Sequence, residues 1–261
     1  MSDVRVAIAK TYKLYIGGAF VRSESGRHDV VDDGVNVPRG SRKDVRDAVK
    51  AARNAQAGWA KKTAYNRGQI LYRAAEALES RAGEFGGDVG EAVDALVHYA
   101  GWTDKLGAVL GTINPVAAPF LSMSTPEPTG VVAVLCGPDD ALASLVSAIA
   151  APLAVGNTVV VALPERTPLP GLDLGEVLGV SDIPGGVVNL LSGRTAELVP
   201  ALAAHRDVNA IIDATGDPAL AVDIDRFAAE TLKRTIRGEH SSLQRLEALT
   251  ELRTVWHPIG A

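Results

Sequence analysis

The sequence predicts an α/β protein: a Rossmann-like parallel sheet with helices on both faces, an N-terminal helical segment and a β arm for oligomerisation. The main observation is a repeat between Gly130 and Thr215, where a short apolar strand, a polar turn and an Ala/Leu-rich helix alternate. The four strands read VVAVLC, TVVVAL, VVNLL and VNAIID. Such alternation specifies a parallel sheet, and parallel sheets bind ligands at the carboxyl ends of their strands.

Residues 1–113 are predicted to hold an N-terminal hairpin and a helical segment. Residues 14–21 contain two β-rich runs around Gly17 and Gly18, which accept a positive φ without penalty. Residues 22–40 are rich in Gly, Asp, Ser and Pro, and we expect them to be irregular. Apolar residues at helical spacing then predict helices over 41–57, 64–82 and 88–110.

Residues 114–128 contain four prolines, which lack a backbone donor and therefore suit a β arm at a sheet edge. Residues 129–236 form the predicted Rossmann-like, NAD-binding-type domain. A helix over 217–234 is expected to end in the basic run 233–237, because helix C-termini favour cations. Residues 237–261 are predicted to hold a C-terminal helix and an oligomerisation strand.

The composition sets limits on location and partners. Hydrophobic residues make up 47% of the 261 residues and the net charge is −5, which argues against nucleic-acid and anionic-membrane partners. The single cysteine, Cys136, excludes an internal disulfide and favours a reducing compartment. The start does not resemble a signal peptide, and no run of about 18 apolar residues occurs. We therefore expect a cytoplasmic protein.

Several stretches of the sequence resemble aldehyde dehydrogenases, in the family's own order. The N-terminal ones are YIGGAFV from Tyr15, the pair Gly58-Trp59, YNRGQILYRAAEALESRAGEF from Tyr65 and YAGWTDKL from Tyr99. The later ones are EPTGVVAV, APLAVGNTVVV, PGGVVNLLSG, HRDVNAII and, near the end, LEALTELRTVW. The resemblance covers nearly the whole chain and implies the family's Rossmann-like fold.

The catalytic domain of the family has no counterpart between the Rossmann-like domain and the tail. The family's Gly-Gly-Lys and Gly-Gln-Xaa-Cys segments are both missing. The resemblance implies that the reaction needs a cysteine thiolate as the nucleophile. The only thiol here, Cys136, precedes Asp139 and Asp140, whose charges would raise its pKa. Asp139 also replaces the asparagine that donates to the oxyanion in the family. We therefore expect no catalytic residue and no stand-alone activity.

The resemblance implies four cofactor-binding candidates. Glu165 matches the family's ribose-binding glutamate, although Ala162 replaces the accompanying lysine, so a simply solvated glutamate is the alternative. Gly193 lies in the next turn, and Thr215 and Gly216 lie in the turn expected beneath the pyrophosphate.

Four carboxylates are expected to gather at the same edge and to repel phosphate, with Arg166 as the only nearby cation. They are Asp139, Asp140, Asp213 and Asp217. We therefore expect no cofactor, and only weak binding of NAD or NADP. The histidines 28, 98, 205, 240 and 257 are scattered without ligand spacing, so no metal site is expected.

The family's arm and tail strands form a small sheet that reaches another subunit. Here the corresponding candidates are Phe120, Leu121, Met123, Leu252, Val255 and Trp256. The first hypothesis is a non-catalytic subunit in a homo-oligomer or in a hetero-oligomer with a full-length aldehyde dehydrogenase. The second is an NAD(P)-dependent aldehyde oxidoreductase component completed by a partner, and the third is a small-ligand or nucleotide-binding regulator.

Overall fold

A computed structural model describes residues 10–31, 34–85 and 89–259. The strands in these ranges are β1 (Leu14–Ile16), β2 (Ala19–Val21), β3 (His28–Val31), β4 (Val35–Pro38), β5 (Thr112–Asn114), β6 (Phe120–Pro128), β7 (Val131–Leu135), β8 (Thr158–Ala162), β9 (Val188–Leu191), β10 (Ala210–Asp213), β11 (Arg234–Ile236) and β12 (Thr250–Pro258). The helices are α1 (Arg42–Ala60), α2 (Ala64–Ser80), α3 (Val89–Trp102), α4 (Leu106–Leu110), α5 (Leu142–Val155), α6 (Leu169–Val180), α7 (Thr195–Ala203), α8 (Pro218–Ala229) and α9 (Ser242–Ala248).

The main sheet has seven strands in the order β11-β10-β7-β8-β9-β1-β2. The five strands from β11 to β9 are parallel, and β1 joins β9 in the antiparallel direction. Leu135 at the end of β7 is level with both Ala162 of β8 and Asp213 of β10, so the carboxyl ends of the three strands meet at one edge. The predicted α/β Rossmann-like fold is confirmed.

Helices cover both faces of this sheet because its strands are apolar on both sides. Val132 and Val134 of β7 face a core formed with α2, α3, α5, α6 and α9. Val131, Ala133 and Leu135 face the opposite core, which is formed with α1, α7 and α8. Helices of the first 113 residues therefore share a core with the sheet. The division of the chain into segments at residues 113 and 128 remains a prediction from the sequence.

The predicted hairpin around Gly17 and Gly18 is present as β1 and β2, with φ of 65° and 83° at the two glycines. A Cβ on Gly18 would lie 2.7 Å from the Cα of Gly185, so a side chain there would push the hairpin off the sheet. The Gly17 amide donates to Asn189 Oδ1 at 2.9 Å, which ties the hairpin to β9.

Residues 22–40 are not irregular throughout, so that expectation was wrong. Strands β3 and β4 form a second antiparallel hairpin within the segment. These strands were not predicted, because Gly, Asp, Ser and Pro residues surround their valines. The third predicted helix is divided in two: α3 ends at Trp102 and α4 begins at Leu106. Its expected start at residue 88 lies outside the described residues.

The segment 217–237 also differs from the sequence prediction. Helix α8 ends at Ala229, and the basic run enters strand β11 rather than closing a helix. The arm is a separate three-stranded sheet in the order β12-β6-β5, in which β12 pairs with β6 along nine residues. Among the described residues, no helix is long and apolar enough to cross a membrane.

Candidate functional site at the carboxyl edge of the sheet

The strand order reverses between β7 and β10. The chain runs from β7 outward through β8 and β9, then crosses to β10 and β11 on the other side. In open α/β sheets, the crevice beyond such a reversal is the usual ligand site. A cavity of about 960 Å³ lies there, lined by Val134 and Cys136 from β7 and its turn, Ile212 and Asp213 from β10, and Ile236 from β11.

Cys136 borders this cavity but is only 5% exposed. Burial, and then the negative charge of Asp140, raise the pKa of the Cys136 thiol far above its ordinary value. The group is therefore a protonated thiol at neutral pH, and a protonated thiol is a poor nucleophile. Of the two acidic neighbours expected from the sequence to raise the pKa of Cys136, Asp140 does so, but burial is the larger cause.

The two aspartates after β7 have different partners. Asp140 Oδ2 accepts the Gly137 amide at 2.7 Å, and a Cβ on Gly137 would lie 3.0 Å from the carbonyl oxygen of Ala214. Asp139 Oδ2 lies 2.9 Å from Arg166 Nη1 in an exposed ion pair. Neither carboxylate can donate a hydrogen bond to an oxyanion while it is ionised.

Asp213 is the most buried carboxylate of the site, and Arg237 pairs with it. Arg237 Nε donates to Asp213 Oδ2 at 2.6 Å. The other oxygen of Asp213 accepts from the amide of Thr215 at 3.1 Å and from its hydroxyl at 2.6 Å. Arg237 also donates to both carboxylate oxygens of Asp225 on α8.

Asp217 is the N-cap of α8. Its Oδ1 accepts from the amides of Ala219 at 2.9 Å and Leu220 at 3.2 Å. These are the amide groups that a helix N-terminus would otherwise offer to a phosphate.

The expectation of four uncompensated carboxylates with Arg166 as the only cation was therefore wrong. Asp140, Asp213 and Asp217 do line one cavity, as expected, but each of the three accepts a hydrogen bond, and Asp213 is paired with Arg237. The sequence did not reveal Arg237, because its run of basic residues was assigned to the end of a helix.

The four cofactor candidates all lie at this edge, in two groups. Thr215 and Gly216 form part of the cavity wall, and Gly216 has a φ of 66°, which favours glycine. Gly193 follows β9, with a φ of 149°. Glu165 follows β8, and its Oε2 accepts the amide of Thr195 at 2.8 Å, so it caps the start of α7.

The described geometry does not fit a pyrophosphate at the β10 turn. The Thr215 amide is bonded to Asp213, and the amides at the start of α8 are bonded to Asp217. A phosphate would have to displace these side chains while meeting their negative charge. No group of three or more His, Cys, Asp or Glu side chains within the described ranges has the arrangement of a metal site.

The sheet order and the cavity at the strand reversal define a protein of the Rossmann-like, NAD-binding-type class. A family model described as "Aldehyde dehydrogenase family" matches residues 31–237. The chain therefore belongs to the aldehyde dehydrogenase family, which confirms the resemblance of its motifs.

Individual relatives agree with this assignment. The mitochondrial aldehyde dehydrogenase of Leishmania tarentolae is 32% identical over 241 residues, which cover 84% of this chain and 48% of that protein. The NAD+ complex of an aldehyde dehydrogenase from Bacillus cereus is 27% identical, with a TM-score of 0.79 and coverage of 87% and 50%. PnpE, solved in complex with nicotinamide adenine dinucleotide, is 30% identical with a TM-score of 0.80, and the match covers 86% of this chain and 50% of PnpE. This chain thus spans about half the length of these relatives.

Proposed function

We propose that this chain is a non-catalytic aldehyde-dehydrogenase-family subunit in the cytoplasm that assembles through its three-stranded arm, β12-β6-β5. It assembles with itself or with a full-length aldehyde dehydrogenase. The observation that carries this proposal is the unpaired outer edge of β12, together with the exposed apolar side chains of the arm. Within the described residues, β12 pairs with β6 alone, and its nine-residue outer edge has no strand partner.

One face of the arm carries a row of three exposed apolar side chains, one from each strand, with the Arg253–Glu127 ion pair on the same face. Ile113, Met123 and Val255 are level with one another, and they are 72%, 37% and 41% exposed. A long strand edge without a partner presents unpaired backbone groups to which another chain can add a strand. A partner subunit that adds a strand to β12 and covers this row would remove both features from water.

The other face of the arm has a hydrogen-bonded polar cluster, and it also carries Phe120 and Trp256, which are 36% and 58% exposed. Asn114 Nδ2 donates to the hydroxyls of Ser122 and Ser124, at 3.2 Å and 2.9 Å, and Ser124 is bonded to Thr254. The rings of Phe120 and Trp256 meet edge to face at the tip, with centroids 5.9 Å apart. These contacts hold the three strands of the arm together without a partner.

We propose that the chain is not catalytic because of the state of its only thiol. Cys136 is the only cysteine of the sequence, and its buried, protonated state is unsuited to attack on an aldehyde. Asp139 and Asp140, which follow it, do not provide an oxyanion donor. An aldehyde-dehydrogenase reaction involving this chain would need the thiolate of another subunit.

A matched pair of variants tests the assembly. Val255→Asp places a charge in the apolar row, whereas Val180→Asp places one at a more exposed valine, at the end of α6. In sedimentation velocity, we expect oligomers for the unmodified chain and for V180D, and dissociation for V255D. If all three sediment identically, whether as monomers or as oligomers, the arm is not the interface.

A second candidate function is binding of NAD or NADP. The structures of the Bacillus cereus enzyme and PnpE hold the dinucleotide, so the comparisons give no support to our expectation that no cofactor binds. The strand reversal favours a ligand at this edge of the sheet. We propose weak binding, because Asp213 and Asp217 occupy the donors that the phosphates need.

A further inference from the structure

We propose that the partner bound by the arm is a second copy of this chain. The outer edges of the two β12 strands would pair in the antiparallel direction, with Val255 of each copy at the two-fold axis between them. This proposal rests on the proposed function, because it names the partner and the register of the assembly through the arm. The two three-stranded arms would form one continuous sheet.

The backbone bonds of β12 determine which of its groups are free. In an antiparallel ladder, every second residue bonds to the neighbouring strand, and the residues between them point their N–H and C=O groups to the other side. At one end of the ladder with β6, the amide of Thr129 donates to the carbonyl oxygen of Leu249 at 3.4 Å. At the other end, the amide of Ile259 donates to the carbonyl oxygen of Pro119 at 2.9 Å. The odd-numbered residues of β12 therefore bond to β6, and the even-numbered ones face the outer edge.

Three residues in the middle of this outer edge, Leu252, Thr254 and Trp256, are exposed. At the inner end, the carbonyl oxygen of Thr250 already accepts from Arg234 Nη1 at 2.6 Å. Within the described ranges, no strand pairs with this edge. A partner strand needs donors and acceptors in the same alternation, and a second β12 supplies them.

The register follows from the apolar row of Ile113, Met123 and Val255. Val255 is the member on β12, so the rows of two copies meet only when Val255 lies opposite its own copy. The row then crosses the strands of both arms without interruption, and apolar side chains directly opposite each other stabilise a sheet. Sliding one strand by two residues, the smallest step that keeps the same backbone groups facing, would place Arg253 or His257 opposite Val255 and end the row.

The same register satisfies the even-numbered residues. Thr254 would lie opposite Trp256 of the second copy, and the two residues would exchange two backbone hydrogen bonds. Leu252 would lie opposite Pro258, whose carbonyl oxygen can accept the Leu252 amide although proline has no donor to return. Leu252 and Trp256 are 59% and 58% exposed in the single chain, and each gains a neighbour across the dimer.

The charged side chains of β12 are compatible with this pairing. Arg253, already paired with Glu127 at 2.9 Å, would lie opposite His257 of the second copy, where its guanidinium can donate to a ring nitrogen. Glu251 is paired with Arg234 at 2.8 Å, near the inner end of the strand. Two copies therefore meet without two carboxylates or two guanidinium groups directly opposite each other.

Disulfide crosslinking of single-cysteine variants tests the register. In a Cys136→Ala background, Val255→Cys places two thiols at a non-hydrogen-bonded pair on the axis, with Cα atoms about 4.5 Å apart, which suits a disulfide. Arg253→Cys is the matched control on the same face of the same strand, and its two copies would lie more than about 13 Å apart. With oxidised glutathione, we expect V255C to form linked dimers at least roughly tenfold faster than R253C. A mixture of R253C and His257→Cys should link as V255C does.

Sedimentation velocity of the same samples separates failure of this pairing from failure of the assembly itself. If the chain forms oligomers but V255C links no faster than R253C, the arm remains an interface and the proposed pairing is wrong. Faster linking in a mixture of V255C and R253C would place Thr254 at the axis and contradict the register. Assembly only after a full-length aldehyde dehydrogenase is added would overturn the choice of a second copy, and monomers in every sample would overturn both this pairing and the proposed function.

Discussion

At the scale of single residues, the carboxylates at the carboxyl ends of the strands are not free anions, because Arg237 pairs with Asp213 and with Asp225. The side chain of Asp213 is 3% exposed, and Arg237 connects it to Asp225 on α8. Removing one member of such a pair leaves a buried charge without compensation, which is more costly than the pair is stabilising. Arg237 is therefore a structural residue of the site.

The first prediction concerns Arg237. Arg237→Ala should lower the free energy of unfolding by about 2–4 kcal/mol, because Asp213 is left buried and unpaired. Arg226→Ala is the matched control, since Arg226 forms an exposed pair with Asp223 on the same helix and lies over the ring of Phe227, and its loss should cost less than about 1 kcal/mol. Urea denaturation of both variants measures the difference, and similar losses would contradict the assigned role.

The second prediction concerns the thiol. In the native chain, Cys136 should react with a disulfide reagent at least roughly a hundredfold more slowly than after denaturation, because burial keeps it protonated and inaccessible. Ser144→Cys, on the exposed rim of the same cavity, should add one thiol that reacts quickly. Rapid reaction of Cys136 in the folded chain would mean that it is available as a nucleophile.

The same thiol should contribute to the pH dependence of stability. The pKa is raised in the folded state, so the unfolded chain loses the proton first, above about pH 8.5. Stability from this group is complete below that pH and falls as the pH rises, by up to about 1.4 kcal/mol per unit. Urea denaturation from pH 7 to 10 should therefore show a smaller loss for Cys136→Ala than for the unmodified chain, and equal losses would exclude the effect.

At the scale of elements, helix α8 determines what the β10 turn can bind. Its N-cap, Asp217, satisfies two amides of the first turn. A serine or glycine would leave the N-terminus more open to an anion, whereas an aspartate both satisfies the amides and repels a phosphate.

The third prediction follows from that cap. Asp217→Ala should destabilise the fold by about 1 kcal/mol and increase the affinity for NAD roughly tenfold, since it frees amides and removes a charge. Ser241→Ala removes the equivalent cap from α9 and should destabilise similarly without changing NAD binding. Calorimetry with NAD and NADP, together with urea denaturation, tests the two effects separately. Unchanged affinity in D217A would mean that the cap does not limit dinucleotide binding.

The elements also show what sequence reasoning could achieve. Strands β7 and β8 are continuous apolar runs between turn residues, so their pattern was unambiguous and the parallel sheet was predicted correctly. The short strand β11 was not predicted. Residues 217–234 have helical spacing of apolar residues, so the sequence alone predicted that α8 continues to residue 234. The pair of Asp213 and Arg237 could not be predicted, since it depends on β11 lying next to β10.

At the scale of the whole molecule, the chain combines a complete Rossmann-like core with an arm that has an exposed apolar row. Arg234 links the two parts: it lies on β11 and donates to the carbonyl oxygens of Ala248 and Thr250, at 3.2 Å and 2.6 Å. The arm is thus anchored to the sheet rather than connected by chain alone. An anchored, preformed sheet suits an interface, because little order is lost when a partner binds.

We propose that this chain acts by assembly and not by aldehyde oxidation of its own. Native mass spectrometry of the complex isolated from its own cells, with the V255D variant in parallel, tests it most directly. We predict species with two or more subunits, composed of this chain or of this chain with a full-length aldehyde dehydrogenase, and a single chain for V255D. A lone chain in the unmodified sample, or an unchanged complex in V255D, would show that the arm does not mediate assembly.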